Sequence, residues 1–86
     1  MADASYYVYL VECVDGSLYC GYTNNLKKRI ELHNNGQGAK FTRSRRPVHL
    51  VYHEVYHTKS EALQREAQIK KLSRLQKQNL IQTQRS

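Results

Sequence analysis

An 86-residue chain with 40% hydrophobic and 24% charged residues is long enough for one folded domain with a small core, and its composition excludes a disordered chain. Its apolar runs are only a few residues long, which excludes a membrane-spanning segment, and residues 1–5 lack the basic and apolar regions of a signal peptide, so we expect a cytoplasmic protein. Fourteen Lys and Arg against seven Asp and Glu give a net charge of +7, which favours nucleic acid before an anionic membrane surface as a partner, unless the charge serves only solubility.

The beginning of the chain predicts a β-hairpin. Tyr6–Cys13 is rich in the aromatic and β-branched residues typical of a strand, and Leu18–Tyr22 is the returning strand. Between them, Asp15-Gly16 is the favoured pair for a tight turn in which both central residues take positive φ. Gly21 interrupts the second strand, which indicates that another group approaches the backbone closely there.

The middle of the chain predicts a helix and then a long basic loop. Thr23-Asn24-Asn25 supplies caps for a helix of about ten residues that contains LKKRIELH, and Asn34-Asn35-Gly36 ends it. Residues 36–47 are polar and form a loop with room for one short turn of structure. Such a long loop in so small a domain is typical of a functional segment. The cations of this loop, interleaved with the possible phosphate donors Thr42 and Ser44, are Lys40, Arg43, Arg45 and Arg46.

The rest of the chain predicts one strand and two helices. Val48–Tyr56 is the third strand. Thr58-x-x-Glu61 fits a capping box, which begins a helix that runs to about Leu72. Ser73-x-x-Gln76 caps a third helix that ends near Ile81, and the residues after Gln82 are expected to fray.

This order of elements, ββαβαα, predicts an α/β sandwich of the α+β kind, with a three-stranded, mostly antiparallel sheet flanked by helices. We expect a single domain over residues 1–86 with its core at about 6–81. Cys13 and Cys20 are too few for a four-ligand zinc site and do not have CxxC spacing. We interpret both as small strand residues that remain thiols, because a reducing cytoplasm disfavours the one disulfide they could form.

Tyrosines are concentrated in the hairpin, which carries five of the seven in the chain: Tyr6 at the start of the first strand, and then Tyr7, Tyr9, Tyr19 and Tyr22. The turn brings the Tyr9 and Tyr19 regions together. Aromatic packing in a small sheet explains any one of them. The alternative is a phenol that acts as a general base or positions a reactant. Because a phenol titrates near pH ~10, that role requires a cation, a metal-bound water or a second acceptor nearby.

A cation and a titratable ring share one face of the first predicted helix. Arg29 and His33 are one helical turn apart, and the helix begins shortly after the strand that carries Tyr19 and Gly21. The first turns of the helix therefore lie near the end of that strand. Taken singly, Arg29 could be a solvated surface residue, and His33 could be a helix C-terminal histidine favoured by the helix dipole.

Glu66 occupies an unusual position on the second predicted helix. The apolar stripe of that helix is formed by Ala62, Leu63, Ala67 and Ile69, so Glu66 points inward or lies at the edge of the stripe. A carboxylate there is costly unless a cation, a metal or a hydrogen-bond donor meets it. The alternative is a boundary glutamate paired with Lys70 one turn later.

A second basic stretch follows on the same helix and the next one. If these cations and those of the loop all contact a nucleic-acid strand, the affinity for nucleic acid should fall steeply with salt. The arginines among them can bind phosphate bidentately. The residues of this stretch are Lys70, Lys71, Arg74 and Lys77.

Together these features resemble the GIY-YIG nuclease domain, most closely its small stand-alone bacterial branch. Tyr7-Val8-Tyr9 corresponds to the Gly-Ile-Tyr motif, and Tyr19-Cys20-Gly21 corresponds to the Tyr-Ile-Gly motif. The helix arginine of the family, its frequent histidine and its metal-binding glutamate correspond to Arg29, His33 and Glu66. The match covers residues 6–81 and includes the segments GAKFTRSRRPV and EALQREAQIKKL.

The resemblance implies a metal-dependent endonuclease that hydrolyses phosphodiester bonds. In that mechanism Tyr9 or Tyr19 deprotonates or orients the attacking water, and Arg29 contacts the scissile phosphate. Glu66 alone holds one Mg²⁺ or Mn²⁺, and His33 orients the water or the phosphate.

The implied partner is nucleic acid, with DNA in branched, nicked or damaged form as the expected substrate and DNA repair as the setting. Larger relatives carry a separate DNA-recognition domain, so we expect cutting directed by structure or backbone rather than by sequence. We further expect a monomer that needs no membrane and no small-molecule cofactor.

The chain departs from the family pattern at several positions. Tyr7 stands where the first motif has Gly, Cys20 where the second has Ile, and Tyr22 where some members have lysine. Asn79 is the nearest counterpart of a C-terminal asparagine found in several relatives. Two alternatives to the nuclease remain: a nucleic-acid-binding module without catalysis, and a scaffold domain recruited by a partner protein.

Overall fold

Three strands pair antiparallel in the order β2-β1-β3 in the computed structural model, which describes residues 5–85. The strands are β1 (Tyr6–Glu12), β2 (Leu18–Thr23) and β3 (His49–Tyr56). The helices are α1 (Leu26–Asn34), α2 (Lys40–Arg43), α3 (Lys59–Lys70) and α4 (Arg74–Arg85). The predicted antiparallel sheet and the predicted order are confirmed. The loop predicted at residues 36–47 contains α2, a single helical turn.

The hairpin turn differs from the prediction in its backbone. Gly16 has φ of +84°, and no residue other than glycine takes positive φ in the described chain, so Asp15 does not. The backbone N–H of Gly16 donates to Cys13 O at 2.9 Å, and that of Cys13 donates to Ser17 O at 2.9 Å. The connection is therefore a three-residue hairpin with one left-handed glycine, and the expectation of two positive-φ residues was wrong.

Helices cover both faces of the sheet. Tyr9, Val11 and Val48 are buried on the face that packs against Leu26 and Ile30 of α1. The opposite face buries a second cluster with residues of α3 and α4: Val8, Leu10, Cys20, Tyr52, Ala62, Ile69 and Ile81. The central strand β1 is thus buried on both sides, which explains its continuous run of apolar residues. Cys13 and Cys20 are free and buried; Cys20 lies within β2, whereas Cys13 directly follows the last residue of β1.

Caps and tertiary contacts set the helix ends. The Asn25 side chain accepts from Lys28 N at 3.1 Å at the start of α1, and Thr58 accepts from Glu61 N at 3.2 Å at the start of α3. The prediction that the chain frays after Gln82 was wrong, because α4 continues to Arg85. Gln84 accepts from His53 N at 3.2 Å and donates to His53 O at 2.7 Å, which ties the end of α4 to β3, an edge strand of the sheet.

The buried face of α3 is narrower than predicted. Ala62 and Ile69 are fully buried, whereas Leu63 is 38% exposed and Ala67 also lies in solvent. The apolar stripe predicted through Leu63 and Ala67 was therefore wrong. Glu66 lies on the helix face between Ala62 and Ile69, so the prediction that it points inward or to the edge of the stripe is confirmed. No helix in residues 5–85 is long and apolar enough to cross a bilayer.

Candidate active site

A polar cavity of about 470 Å³ lies at the edge of β2, where α1 and α3 both reach the sheet. Four residues predicted from widely separated parts of the chain line it together: Tyr9, Tyr19, Arg29 and Glu66. Tyr9 and Tyr19 belong to the sheet face covered by α1, whereas α3 packs against the other face. Residues from both faces meet here because β2 has no neighbouring strand on this side.

The Tyr9 phenol packs directly against the backbone of Gly21. The two residues are paired across β1 and β2. A Cβ at position 21 would lie 2.5 Å from Tyr9 Oη and 2.7 Å from Cζ, far inside van der Waals contact. The prediction of a close approach at Gly21 is confirmed, and the approaching group is the aromatic ring of the first motif.

The Tyr9 hydroxyl makes a buried hydrogen bond with His33. Its oxygen lies 2.8 Å from His33 Nε2, and the two rings meet edge to face at a centroid distance of 5.8 Å. His33 is fully buried, and it contacts Thr42 on its other side, with Nδ1 and Oγ1 2.8 Å apart. His33 therefore does not line the cavity but contacts two residues that do, Tyr9 and Tyr19, which opposes the expectation that His33 itself orients the water or the phosphate.

Burial controls the protonation of this pair. Burial, followed by the nearby charge of Arg29, holds the pKa of His33 below its ordinary value, so the imidazole is neutral near pH 7. Burial also raises the pKa of Tyr9 well above that of a free phenol, and Tyr19 adds to this effect while Arg29 opposes it. A free phenolate at Tyr9 is therefore strongly disfavoured, and the hydroxyl keeps its proton until an acceptor takes it.

Tyr19 is half-buried and connects the cavity with the basic loop. Its ring is stacked on Phe41 at a centroid distance of 5.8 Å and meets the ring of His33 at 5.4 Å. The ammonium group of Lys70 lies 5.9 Å from the centre of the Tyr19 ring. Phe41 is 39% exposed, so an aromatic surface continues from the cavity out to solvent.

The guanidinium of Arg29 differs from that of Arg65 on α3 in its contacts. Within residues 5–85, the Arg29 guanidinium makes no hydrogen bond or ion pair, although it lines the cavity. Arg65, in contrast, donates from Nε and Nη2 to the two carboxylate oxygens of Glu54 at 2.9 and 3.1 Å. An unpaired guanidinium at a polar cavity is suited to a bidentate contact with a phosphate.

Glu66 is the carboxylate of the cavity. It lies 3.4 Å from Lys70 Nζ, so the ion pair with Lys70 that the sequence offered as an alternative is present. Its side chain is 17% exposed and also lines the cavity. No group of three His, Cys, Asp or Glu side chains within residues 5–85 could hold a metal ion. A single carboxylate facing a polar cavity still fits Mg²⁺, which binds through one or two carboxylates and completes its shell with water and phosphate oxygens.

The arginines of the basic loop hold the loop together. Arg45 pairs with Asp15 at 3.1 Å and stacks 4.1 Å above the Phe41 ring. Arg46 donates to Arg43 O at 2.8 Å and to Asn34 O at 3.3 Å, and Arg43 donates to Gly36 O at 3.3 Å. Each guanidinium retains further N–H groups that can reach a phosphate.

Other cations predicted to bind nucleic acid lie on the surface. Lys40, Lys71 and Arg74 are exposed. Ser44 is also exposed, but Thr42 is fully buried with its hydroxyl bonded inside the protein, so the prediction of Thr42 as a phosphate donor was wrong. Asn79, the nearest counterpart of the family asparagine, lines a separate groove beside α4.

Sequence reasoning missed several residues that line the cavity, among them Tyr6 and Lys59. Lys59 begins α3 and lies two helical turns before Glu66, so the spacing of seven residues carried a signal that it faces the same way. Tyr6 precedes the first motif and offered no comparable signal, because alternation along β1 assigns it to the face opposite Tyr9.

Comparisons with known proteins confirm the resemblance found in the sequence. A family model described as the GIY-YIG catalytic domain matches residues 5–79. The UPF0213 protein of Staphylococcus aureus strain Mu3 is 60% identical over 77 residues, covering 90% of this chain and 94% of that protein. The solution structure of EF2693 from E. faecalis has 47% identity and a TM-score of 0.63, and that of the UPF0213 protein BH0048 from Bacillus halodurans has 44% and 0.60. In both cases the likeness covers 92% of this chain and 84% of the other.

Proposed function

Because this chain belongs to the GIY-YIG catalytic domain family, we propose that it is a metal-dependent endonuclease that hydrolyses phosphodiester bonds in DNA. One observation carries the proposal: an unpaired guanidinium, a carboxylate and two phenols line a single polar cavity. Phosphoryl transfer depends mainly on positioning and charge neutralisation, so this sparse set of groups is chemically sufficient.

Arg29 binds the scissile phosphate in this proposal. No acceptor within residues 5–85 competes for its N–H groups, so binding breaks no ion pair that the described protein makes. As water attacks phosphorus, negative charge grows on the non-bridging oxygens, and a fixed guanidinium stabilises that charge more than it stabilises the ground state.

Tyr9 is the better candidate for the general base, because its hydroxyl already has a proton acceptor. A neutral His33 can accept the phenolic proton at Nε2, 2.8 Å away, which leaves the Tyr9 oxygen able to accept a proton from the attacking water. The new P–O bond then forms while the water proton moves to Tyr9 and the Tyr9 proton moves to His33. This transfer avoids the free phenolate that burial disfavours. The imidazolium it forms is also disfavoured by burial and by Arg29, so it is transient and returns its proton through Tyr9 to solvent as the products leave.

Tyr19 and Lys59 then have supporting positions on the cavity wall. No acceptor within residues 5–85 is hydrogen-bonded to the Tyr19 hydroxyl, so we assign Tyr19 the orientation of the water or of a phosphate oxygen rather than removal of the proton. Lys59 adds positive charge to a cavity that receives a polyanion.

Glu66 is the residue that would hold the divalent ion, Mg²⁺ or Mn²⁺. When bound, such an ion neutralises the charge that develops on the leaving oxygen and on the phosphate. Glu66 also pairs with Lys70, so Lys70 gives up or shares this carboxylate when the site is loaded. The leaving oxygen takes its proton from solvent in the open cavity.

The DNA backbone, rather than its base sequence, is the feature we expect the protein to recognise. The cations around the cavity and on the basic loop suit phosphates, which position a duplex without reading its sequence. We propose branched, nicked or damaged DNA as the substrate and a monomer acting in the cytoplasm as the working state, with one cut per binding event.

The test is cleavage of end-labelled branched DNA in the presence of Mg²⁺ or Mn²⁺. We expect the wild-type protein to cut and Glu66→Gln to lose about 100-fold or more in rate, because the substitution removes one charge from the cavity without changing its shape. Glu31→Gln is the matched control, since Glu31 lies exposed on α1, and it should cut like the wild type. Equal rates for Glu66→Gln and the wild type would refute the metal site. Salt-dependent DNA binding without any cutting would leave a non-catalytic binding module.

A further inference from the structure

Thr42 is an unusual residue on the basic loop because it is the only one from Lys40 to Arg46 whose side chain is fully buried. Its hydroxyl lies 2.8 Å from His33 Nδ1 and 3.1 Å from Ala39 O. The segment also presses Gly38 against the same imidazole, since a Cβ at position 38 would lie 2.5 Å from the ring atom Cγ of His33. Gly38 and Thr42 thus hold the ring from the side opposite Tyr9.

The hydrogen-bond partners of Thr42 determine where the proton of His33 lies. A threonine hydroxyl has one proton and can donate only once, whereas a backbone carbonyl can only accept. The bond to Ala39 O uses that proton, so the Thr42 oxygen accepts from His33 Nδ1–H. A neutral imidazole carries one N–H, which leaves Nε2 unprotonated and able to accept from the Tyr9 hydroxyl.

From this chain of bonds we propose that Thr42 is a positioning residue that fixes the Nδ1–H tautomer of His33 and so directs the Tyr9 proton toward His33 instead of toward the cavity. The inference rests on the proposed endonuclease function and adds a residue that contacts neither DNA nor metal. It also gives the basic loop a second role beside the proposed contact with DNA, for which Phe41 and Arg43, on either side of Thr42, are exposed to solvent.

The consequence of removing the hydroxyl follows from the same bonds. In Thr42→Val the shape is kept, but Nδ1–H would be buried without an acceptor, which is costly. The imidazole relieves that cost by moving its proton to Nε2, which then donates to the Tyr9 oxygen. Tyr9 can no longer pass its proton to His33, although every atom that faces the cavity is unchanged. Thr42→Ser keeps the hydroxyl and preserves the original tautomer.

Two measurements test the assignment on the full chain. The nitrogen chemical shifts of the His33 ring report the tautomer, and single-turnover cleavage of branched DNA with Mg²⁺ reports the chemistry. We expect the Nδ1–H tautomer in the wild type and in Thr42→Ser, and the Nε2–H tautomer in Thr42→Val. We expect the single-turnover rate to fall about 100-fold in Thr42→Val, with DNA affinity unchanged, and to recover in Thr42→Ser.

The outcomes separate this proposal from the endonuclease proposal. An Nε2–H tautomer in the wild type overturns the role of Thr42 without any variant, as does an unchanged tautomer in Thr42→Val. If Thr42→Val does not fold, the wild-type tautomer and the rate of Thr42→Ser still decide. If the wild type cuts no DNA, the nuclease proposal fails, while the ring nitrogens still show whether Thr42 fixes the tautomer.

Discussion

Substitution by methionine should have opposite consequences at Arg29 and Arg65: at Arg29 it should slow cleavage without changing stability, and at Arg65 it should lower stability without slowing cleavage. The Arg29 guanidinium makes no hydrogen bond or ion pair within residues 5–85, so Arg29→Met leaves no described protein group unsatisfied and should change the free energy of unfolding by at most about 0.5 kcal/mol. Arg65 is bonded to both oxygens of Glu54, at 2.9 and 3.1 Å. Its side chain is 30% exposed and that of Glu54 is 17% exposed, so solvent screens the pair in part. Arg65→Met should therefore cost about 1–3 kcal/mol.

The cleavage rate should be affected in the reverse order, more by Arg29→Met than by Arg65→Met. A preorganised donor aimed at developing phosphate charge contributes about 3–4 kcal/mol, so Arg29→Met should cut roughly 100- to 1000-fold more slowly than the wild type. Arg65→Met should cut at close to the wild-type rate at temperatures where it is folded, because Arg65 lies outside the cavity.

Urea unfolding followed by circular dichroism, together with single-turnover cleavage of branched DNA, measures both quantities on the same samples. Arg29 also contributes to the low pKa of His33, so that pKa should rise in Arg29→Met. An Arg29→Met protein that cuts normally, or one that loses its activity only because it unfolds, would refute the reasoning.

Three further results are expected. Gly21→Ala should lower the free energy of unfolding by about 1–3 kcal/mol in urea titrations, because the new methyl group collides with the Tyr9 ring, and wild-type stability would contradict the packing. The pKa of His33 is lowered in the folded chain by burial and by Arg29. Below about pH 6.5, the unfolded chain therefore binds a proton at His33 more readily than the folded chain does. Stability should thus fall as the pH drops through that value, and His33→Gln should lose this part of the fall. Lys71→Ala should reduce the slope of log affinity against log salt by about one in DNA titrations, and an unchanged slope would remove Lys71 from the interface.

Local signals in the sequence were sufficient for the fold. The aromatic and β-branched runs of β1 and β3, the Asp-Gly pair and the caps Asn25 and Thr58 each act within a few residues, and each produced the predicted element. Apart from the backbone of the Asp15-Gly16 turn, the errors arose where distant contacts decide the outcome. Leu63 and Ala67 fit an apolar stripe by spacing, but the sheet meets α3 along the line of Ala62, Glu66 and Ile69.

The candidate site was predicted in part for the same reason. Helical and strand periodicity could place Glu66 inward and bring Tyr9 and Tyr19 together, because the turn fixes which strands are neighbours. Periodicity could not predict that His33 is buried behind Tyr9, since its burial depends on a loop that folds back across the ring. From the sequence, Thr42 is expected to be a surface hydrogen-bond donor in a basic segment. Only the packing of Gly38 and Thr42 around His33 shows that its hydroxyl contacts the imidazole instead.

The polar groups of this small protein are satisfied unevenly. The carboxylate of Glu54 accepts from two N–H groups of Arg65 and from the hydroxyls of Tyr52 and Tyr56, and burial followed by the Glu54 contact raises the pKa of Tyr52 to about 12. At the cavity, by contrast, the Arg29 guanidinium has no partner within residues 5–85. If the stability of the protein alone determined the pairing of its charges, Arg29 would be expected to belong to a second closed network like that of Glu54. An open guanidinium that lies close enough to oppose protonation of a buried histidine is expected where the missing partner is a ligand. The phosphate of a substrate has the charge and the geometry to be that partner.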